Sequence, residues 1–109
     1  MTKLHEISDS EFRSVVLNSD IPVLVDFSSS WCPPCFAIAP ALNDLAGDYE
    51  GKIKFTSLNV DSNPRATADY GISSVPTVLI FKKGEQFGRV VGAVPKSVFK
   101  QRLEEAIVS

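Results

Sequence analysis

Val23-Leu24-Val25-Asp26-Phe27-Ser28-Ser29-Ser30-Trp31-Cys32-Pro33-Pro34-Cys35-Phe36 is the stretch that decides the fold. Its first five residues form a short, nearly continuous apolar run rich in β-branched side chains. Such a run reads as a central strand buried on both faces. From Pro34 to Tyr49 the spacing turns helical, with Ile38, Leu42, Leu45 and Tyr49 recurring every three or four residues and Gly51 as the stop. Pro40 falls inside that helix, where it removes one backbone donor and should kink it. The cysteine pair therefore sits where a buried strand gives way to a helix.

Outward from this unit, strands and helices alternate. Ser8 and Glu11 fit a capping box, with Ile7 and Phe12 as its hydrophobic staple, and a helix over about residues 9–18 follows. Ile53 to Val60 reads as a second strand. Asn63-Pro64 opens a short helix that closes at Gly71. Thr77-Val78-Leu79-Ile80-Phe81 is a third strand, Lys82-Lys83-Gly84-Glu85 a turn, and Gln86 to Val91 the hairpin partner. The last element is an amphipathic helix with Phe99, Leu103 and Ile107 on one face. The order αβαβαββα implies an α/β fold, a mixed sheet with helices on both faces and an antiparallel hairpin near its end.

The totals narrow the function. At 109 residues and 44% hydrophobic, the chain has the size and core of one domain spanning 1–109. A net charge of −2, with no basic cluster beyond Lys82-Lys83, argues against a nucleic-acid surface. No apolar run approaches membrane-spanning length. Met1-Thr2-Lys3-Leu4-His5-Glu6 lacks the apolar core of a secretory signal, so a reducing, cytoplasmic location is expected; a chain with its export signal already removed would read the same. A monomer is expected.

Cys32 and Cys35 are the only cysteines. Placed at the N-cap of the helix, Cys32 would have its thiolate stabilised by the helix dipole and by free N–H groups, including that of Cys35 at N3. That arrangement suits a nucleophile, Cys32, and a more buried resolving thiol, Cys35. Three other readings compete. Zinc needs about four ligands, and only His5 could add one that is not a carboxylate. A structural disulfide closing so short a loop would constrain the unfolded chain little. A redox-dead binding module usually lacks one of the cysteines. No metal or other cofactor is expected on the chain itself.

Taken with Val25-Asp26-Phe27, Ala39-Pro40, Asn59-Val60-Asp61, Tyr70-Gly71-Ile72, Val75-Pro76-Thr77, Phe81-Lys82 and Val91-Gly92-Ala93, the motif Trp31-Cys32-Pro33-Pro34-Cys35 resembles the thioredoxin family nearly end to end. The resemblance implies the thioredoxin fold and reduction of protein disulfides by Cys32 and Cys35, with Asp26 buried beneath them as general acid/base. It implies a cis peptide bond before Pro76, and a peptide groove formed by Trp31, Pro33, Pro34, Val75, Pro76, Gly92 and Ala93. Client proteins with disulfides and a recycling thioredoxin reductase, either flavin- and NADPH-dependent or ferredoxin-linked, are the implied partners.

The chain departs from the family pattern at the active site. Pro33 stands where glycine is usual, which deletes an N–H and stiffens the loop. Ser28 replaces an aromatic, Phe36 a position that is often basic, and Ser57 a frequent lysine whose absence should raise the pKa of Asp26 further. Two alternatives follow: a more oxidising oxidase or isomerase tuned by Pro33-Pro34 and residue 75, or a peptide-binding module with incidental redox activity.

Overall fold

The computed structural model describes residues 4–109. Five strands form one sheet in the order β1-β3-β2-β4-β5. They are β1 (His5–Glu6), β2 (Val23–Ser28), β3 (Lys54–Asn59), β4 (Thr77–Lys82) and β5 (Glu85–Val91). β1, β3 and β2 run parallel, and β4 and β5 are antiparallel to their neighbours. The helices are α1 (Asp9–Phe12), continued by a π-helical turn (Arg13–Leu17), then α2 (Pro33–Asp48), α3 (Pro64–Asp69) and α4 (Lys96–Val108). This is the α/β order expected from the sequence with one strand added in front. β1 pairs only two residues, His5 with Thr56 and Glu6 with Ser57, and both are exposed. So short and polar an edge strand leaves no hydrophobic pattern to read.

The β2 residues divide the core by alternation. Leu24 packs with Ile38, Leu42 and Leu45 of α2 and Phe99 and Leu103 of α4. Val23, Val25 and Phe27 face the opposite side, with Phe12, Val16 and Ala66. Period two therefore assigns Asp26 to the face of Leu24, beneath α2. In α4 the buried positions are Phe99, Leu103 and Ala106, whereas Ile107 is 39% exposed. That corrects the expected face: at about 100° per residue, Ala106 lies roughly 20° from Phe99 around the helix and Ile107 about 80°.

Local signals hold at most ends. The Glu11 carboxylate accepts the Ser8 N–H at 3.1 Å. Lys83 and Gly84 both have positive φ, 54° and 80°, the geometry of a type I′ hairpin. α2 runs unbroken through Pro40. α3 is capped from outside: Asp9 of α1 accepts the N–H groups of Arg65 and Ala66 at 3.0 and 2.9 Å. Asn63 Oδ1 in turn accepts the Asp9 N–H at 2.8 Å. Among the described residues no helix is long and apolar enough to cross a membrane.

Candidate active site

The sheet topology gathers the candidate residues at one edge. Ser28 at the end of β2 is in register with Asn59 at the end of β3. Phe27 lies opposite Thr77 at the start of β4, and Thr77 opposite Val91 at the end of β5. The loop carrying Trp31 and Cys32, the Val75-Pro76 segment and Gly92-Ala93 therefore leave the sheet side by side. This is the carboxyl edge of the parallel strands, where open α/β sheets place ligands.

Cys32 is the N-cap of α2 and Cys35 its N3 residue. The two form a disulfide, with Cα atoms 5.2 Å apart. Cys32 Sγ accepts the Cys35 N–H at 3.1 Å. The intervening residues, Pro33 and Pro34, have no N–H to offer, so that amide is the nearest backbone donor left in the first turn. Each cysteine is 5% exposed. The expected excess burial of Cys35 is absent.

The loop before Cys32 is tied to the segment after β3. Val60 N–H donates to Ser28 O at 2.9 Å, Ser29 Oγ to Asp61 at 2.9 Å, and Asn59 Nδ2 to Ser30 Oγ at 3.2 Å. Asn59 Oδ1 also accepts the Asp61 N–H, at 2.8 Å. Reading the sequence did not assign this anchoring; the only available signal was the presence of Asn59-Val60-Asp61 among the shared motifs.

On the other side, the Val75–Pro76 peptide bond is cis. Pro76 is buried, and its carbonyl accepts the Gly92 N–H at 2.9 Å, joining two segments of the expected groove. Trp31 stands in solvent, 91% exposed, and Pro33, Pro34 and Ala93 are also exposed.

Asp26 is 8% exposed. Among the described residues its Oδ1 is the one buried side-chain oxygen or nitrogen without a hydrogen-bond partner. It lines a cavity of about 170 Å³ together with Cys35, Ser28, Ser29, Ser57 and Phe36. Ser57 is in register with Asp26 on the neighbouring strand, so both side chains project from the same face. Among the described residues no cation lines the cavity, and burial pushes the Asp26 carboxyl up from an ordinary 3.8 to about 7. A carboxyl poised near neutrality beside a thiol can accept or return a proton. Among the described residues no group of three or more His, Cys, Asp or Glu could hold a metal.

The Thioredoxin family model matches residues 3–105. Thioredoxin 1 of Nostoc sp. is 49% identical over 105 residues, covering 96% of this chain and 98% of the relative. Thioredoxin of Synechocystis sp. is 46% identical over the same shares. The chloroplastic M-type thioredoxin of Chlamydomonas reinhardtii is 44% identical over 99 residues, 91% of this chain and 71% of the relative.

Proposed function

This chain belongs to the thioredoxin family, and from that premise we propose how its residues divide the work of reducing a protein disulfide. The chain is a thiol–disulfide oxidoreductase of the protein-disulfide reductase type, with disulfide-containing targets and a thioredoxin reductase as its general partners.

In the proposed cycle the Cys32 thiolate attacks one sulfur of a client disulfide. A Cys32–client bond forms, the client S–S bond breaks, and one client thiolate leaves. Asp26 takes the proton of Cys35, whose thiolate then attacks Cys32 Sγ. The second client sulfur departs, the Cys32–Cys35 disulfide forms, and two electrons have passed to the client. Trp31, Pro33, Pro34, Val75, Pro76, Gly92 and Ala93 receive the client backbone beside its disulfide. The chain works as a monomer in the cytoplasm, recycled by a flavin- and NADPH-dependent or a ferredoxin-linked reductase.

The observation that carries this reading is the N-cap geometry of the pair: the Cys35 N–H aimed at Cys32 Sγ at 3.1 Å is positioned to stabilise a Cys32 thiolate. Insulin-disulfide reduction by Cys32→Ser tests it. Loss of turnover is expected, and wild-type turnover in that variant would end the assignment. Cys35→Ser should accumulate mixed disulfides with clients; recovering none would remove the resolving role.

The Cys-Pro-Pro-Cys variant bears on poise. Pro33 is the N1 residue of α2, whose N–H does not face the N-cap side chain, so its loss leaves the Cys35 N–H on Cys32 Sγ intact and the reductant reading in place of the oxidase or isomerase one. A reduction potential near roughly −270 mV supports this, whereas one near roughly −180 mV transfers the protein to disulfide oxidation or isomerisation. The binding-module alternative predicts that client pull-down survives unchanged in a Cys32→Ala, Cys35→Ala double variant; the redox reading predicts its loss.

A further inference from the structure

Trp31 and Phe36 bracket the cysteine pair, one residue before Cys32 and one after Cys35, and both rings stand in solvent. Phe36 is 61% exposed. Trp31 belongs to the groove already described, but Phe36 lies elsewhere. It lines the Asp26 cavity with Ser57 of β3. β3 flanks β2 on the side opposite β4 and β5, which carry the Pro76 and Gly92 segments.

The exposed surface of α2 stays apolar beyond Phe36. Ala37, Ala39 and Pro40 are exposed, and the first charged side chain of the helix is Asp44, which pairs with Lys96 at 3.5 Å. A solvent face of a helix is ordinarily charged or polar, and a contiguous apolar one marks a contact surface. This one is continuous with the redox face, because Phe36 stands one helical turn from Cys32, the N-cap of the same helix.

We propose that Phe36, with Ala37 and Pro40 beside it, is a specificity-determining contact that receives an apolar side chain of the client on the α2 side of the disulfide. The occupant is an extended client segment. Cys32 and Phe36 are one helical turn apart, about 6 Å along the axis. An extended chain covers that distance in about two residues. The favoured client therefore carries an apolar residue about two positions from its reactive cysteine, and a lysine there gains less, because the weak cation–π contact of an exposed ring does not replace the burial of an apolar side chain against Phe36, Ala37 and Pro40.

This inference rests on the redox reading, and its test separates the two. Synthetic peptides carrying one cysteine in a mixed disulfide with cysteamine would hold Leu, Ser or Lys two positions before or after that cysteine. Reduction kcat/KM would be measured for wild type, Phe36→Ser and Phe36→Leu, with hydroxyethyl disulfide as a substrate too small to reach residue 36. Wild type should favour Leu over Lys about tenfold in one of the two directions. Phe36→Ser should lose that preference and Phe36→Leu should keep most of it, each preference being read as a Leu-to-Lys ratio within one variant, so that any change in basal reduction of hydroxyethyl disulfide through the Asp26 cavity divides out. A Leu preference that survives in Phe36→Ser overturns the inference. So does an equal loss on every substrate, which would mean that Phe36 acts on the cysteine pair and not on the client. Self-association of wild type that Phe36→Ser abolishes, read by sedimentation, would give the surface to a second copy of the chain. Failure of the wild type to reduce hydroxyethyl disulfide would sink the redox reading itself.

Discussion

Replacing Asp26 by Asn should stabilise the protein, and the gain should depend on pH. The carboxyl is buried, its Oδ1 has no partner among the described residues, and burial lifts its pKa from 3.8 to about 7. A raised acid pKa means that the folded state holds its proton more tightly than the unfolded chain does. Between about pH 4 and pH 7 the unfolded chain has released that proton while the folded state keeps it, so wild-type stability falls as pH rises through this window. At 1.36 kcal/mol per unit, the shift corresponds to an upper bound of about 4 kcal/mol lost by neutral pH. Asparagine is nearly isosteric with the protonated acid and cannot ionise. Asp26→Asn should therefore match wild type near pH 4, gain steadily, and level off above about pH 7. Urea unfolding of both disulfide forms across this range, by linear extrapolation, reads the difference directly. The same contributions from every other titrating group cancel between the two proteins. A difference that stays flat with pH would refute the reasoning, since a gain in packing alone carries no proton.

Other perturbations test the scaffold. Asp9→Ala removes both acceptors at the start of α3 and should cost about 1–2 kcal/mol by urea unfolding, as loss of a helix cap does. Lys83→Asn places a residue tolerant of positive φ at a turn position held at 54°; a modest gain of about 0.5 kcal/mol is expected, and a loss would argue that the Lys83 side chain makes a needed contact. Leu103→Ala opens space in a fully buried site and should cost about 2–5 kcal/mol, lowering the midpoint without altering the reduction potential. Asp61→Ala removes the acceptor of Ser29 Oγ; a loss of about 1 kcal/mol should come with slower insulin reduction, because the loop bearing Cys32 loses an anchor.

Much of the site was legible because it is local. Cys32 at the N-cap, Cys35 at N3 and the sulfur–amide contact follow from a strand ending five residues before a helix whose first residues are Pro33 and Pro34. The Lys83-Gly84 turn and the Ser8–Glu11 pair were readable for the same reason: each needs only neighbours in sequence. The capping of α3 by Asp9 was not readable, since its partners lie 56 and 57 residues away. The expected Ile107 face failed through a smaller ambiguity, because steps of three and four residues both fit a helical stripe until the helix is laid against its core.

The α/β order, the strand that carries Asp26 and the placing of two cysteines at a helix start are all readable from the chain alone, because periodicity and capping over a few residues set them. The face of β2 that Asp26 occupies, the cavity it shares with Ser57 and Cys35, and the opening of Phe36 to solvent on the side away from Pro76 emerge only in the folded molecule. Those facts depend on strand register and on the order of strands in the sheet. Both are set by side chains that meet only after segments distant in the chain have packed together.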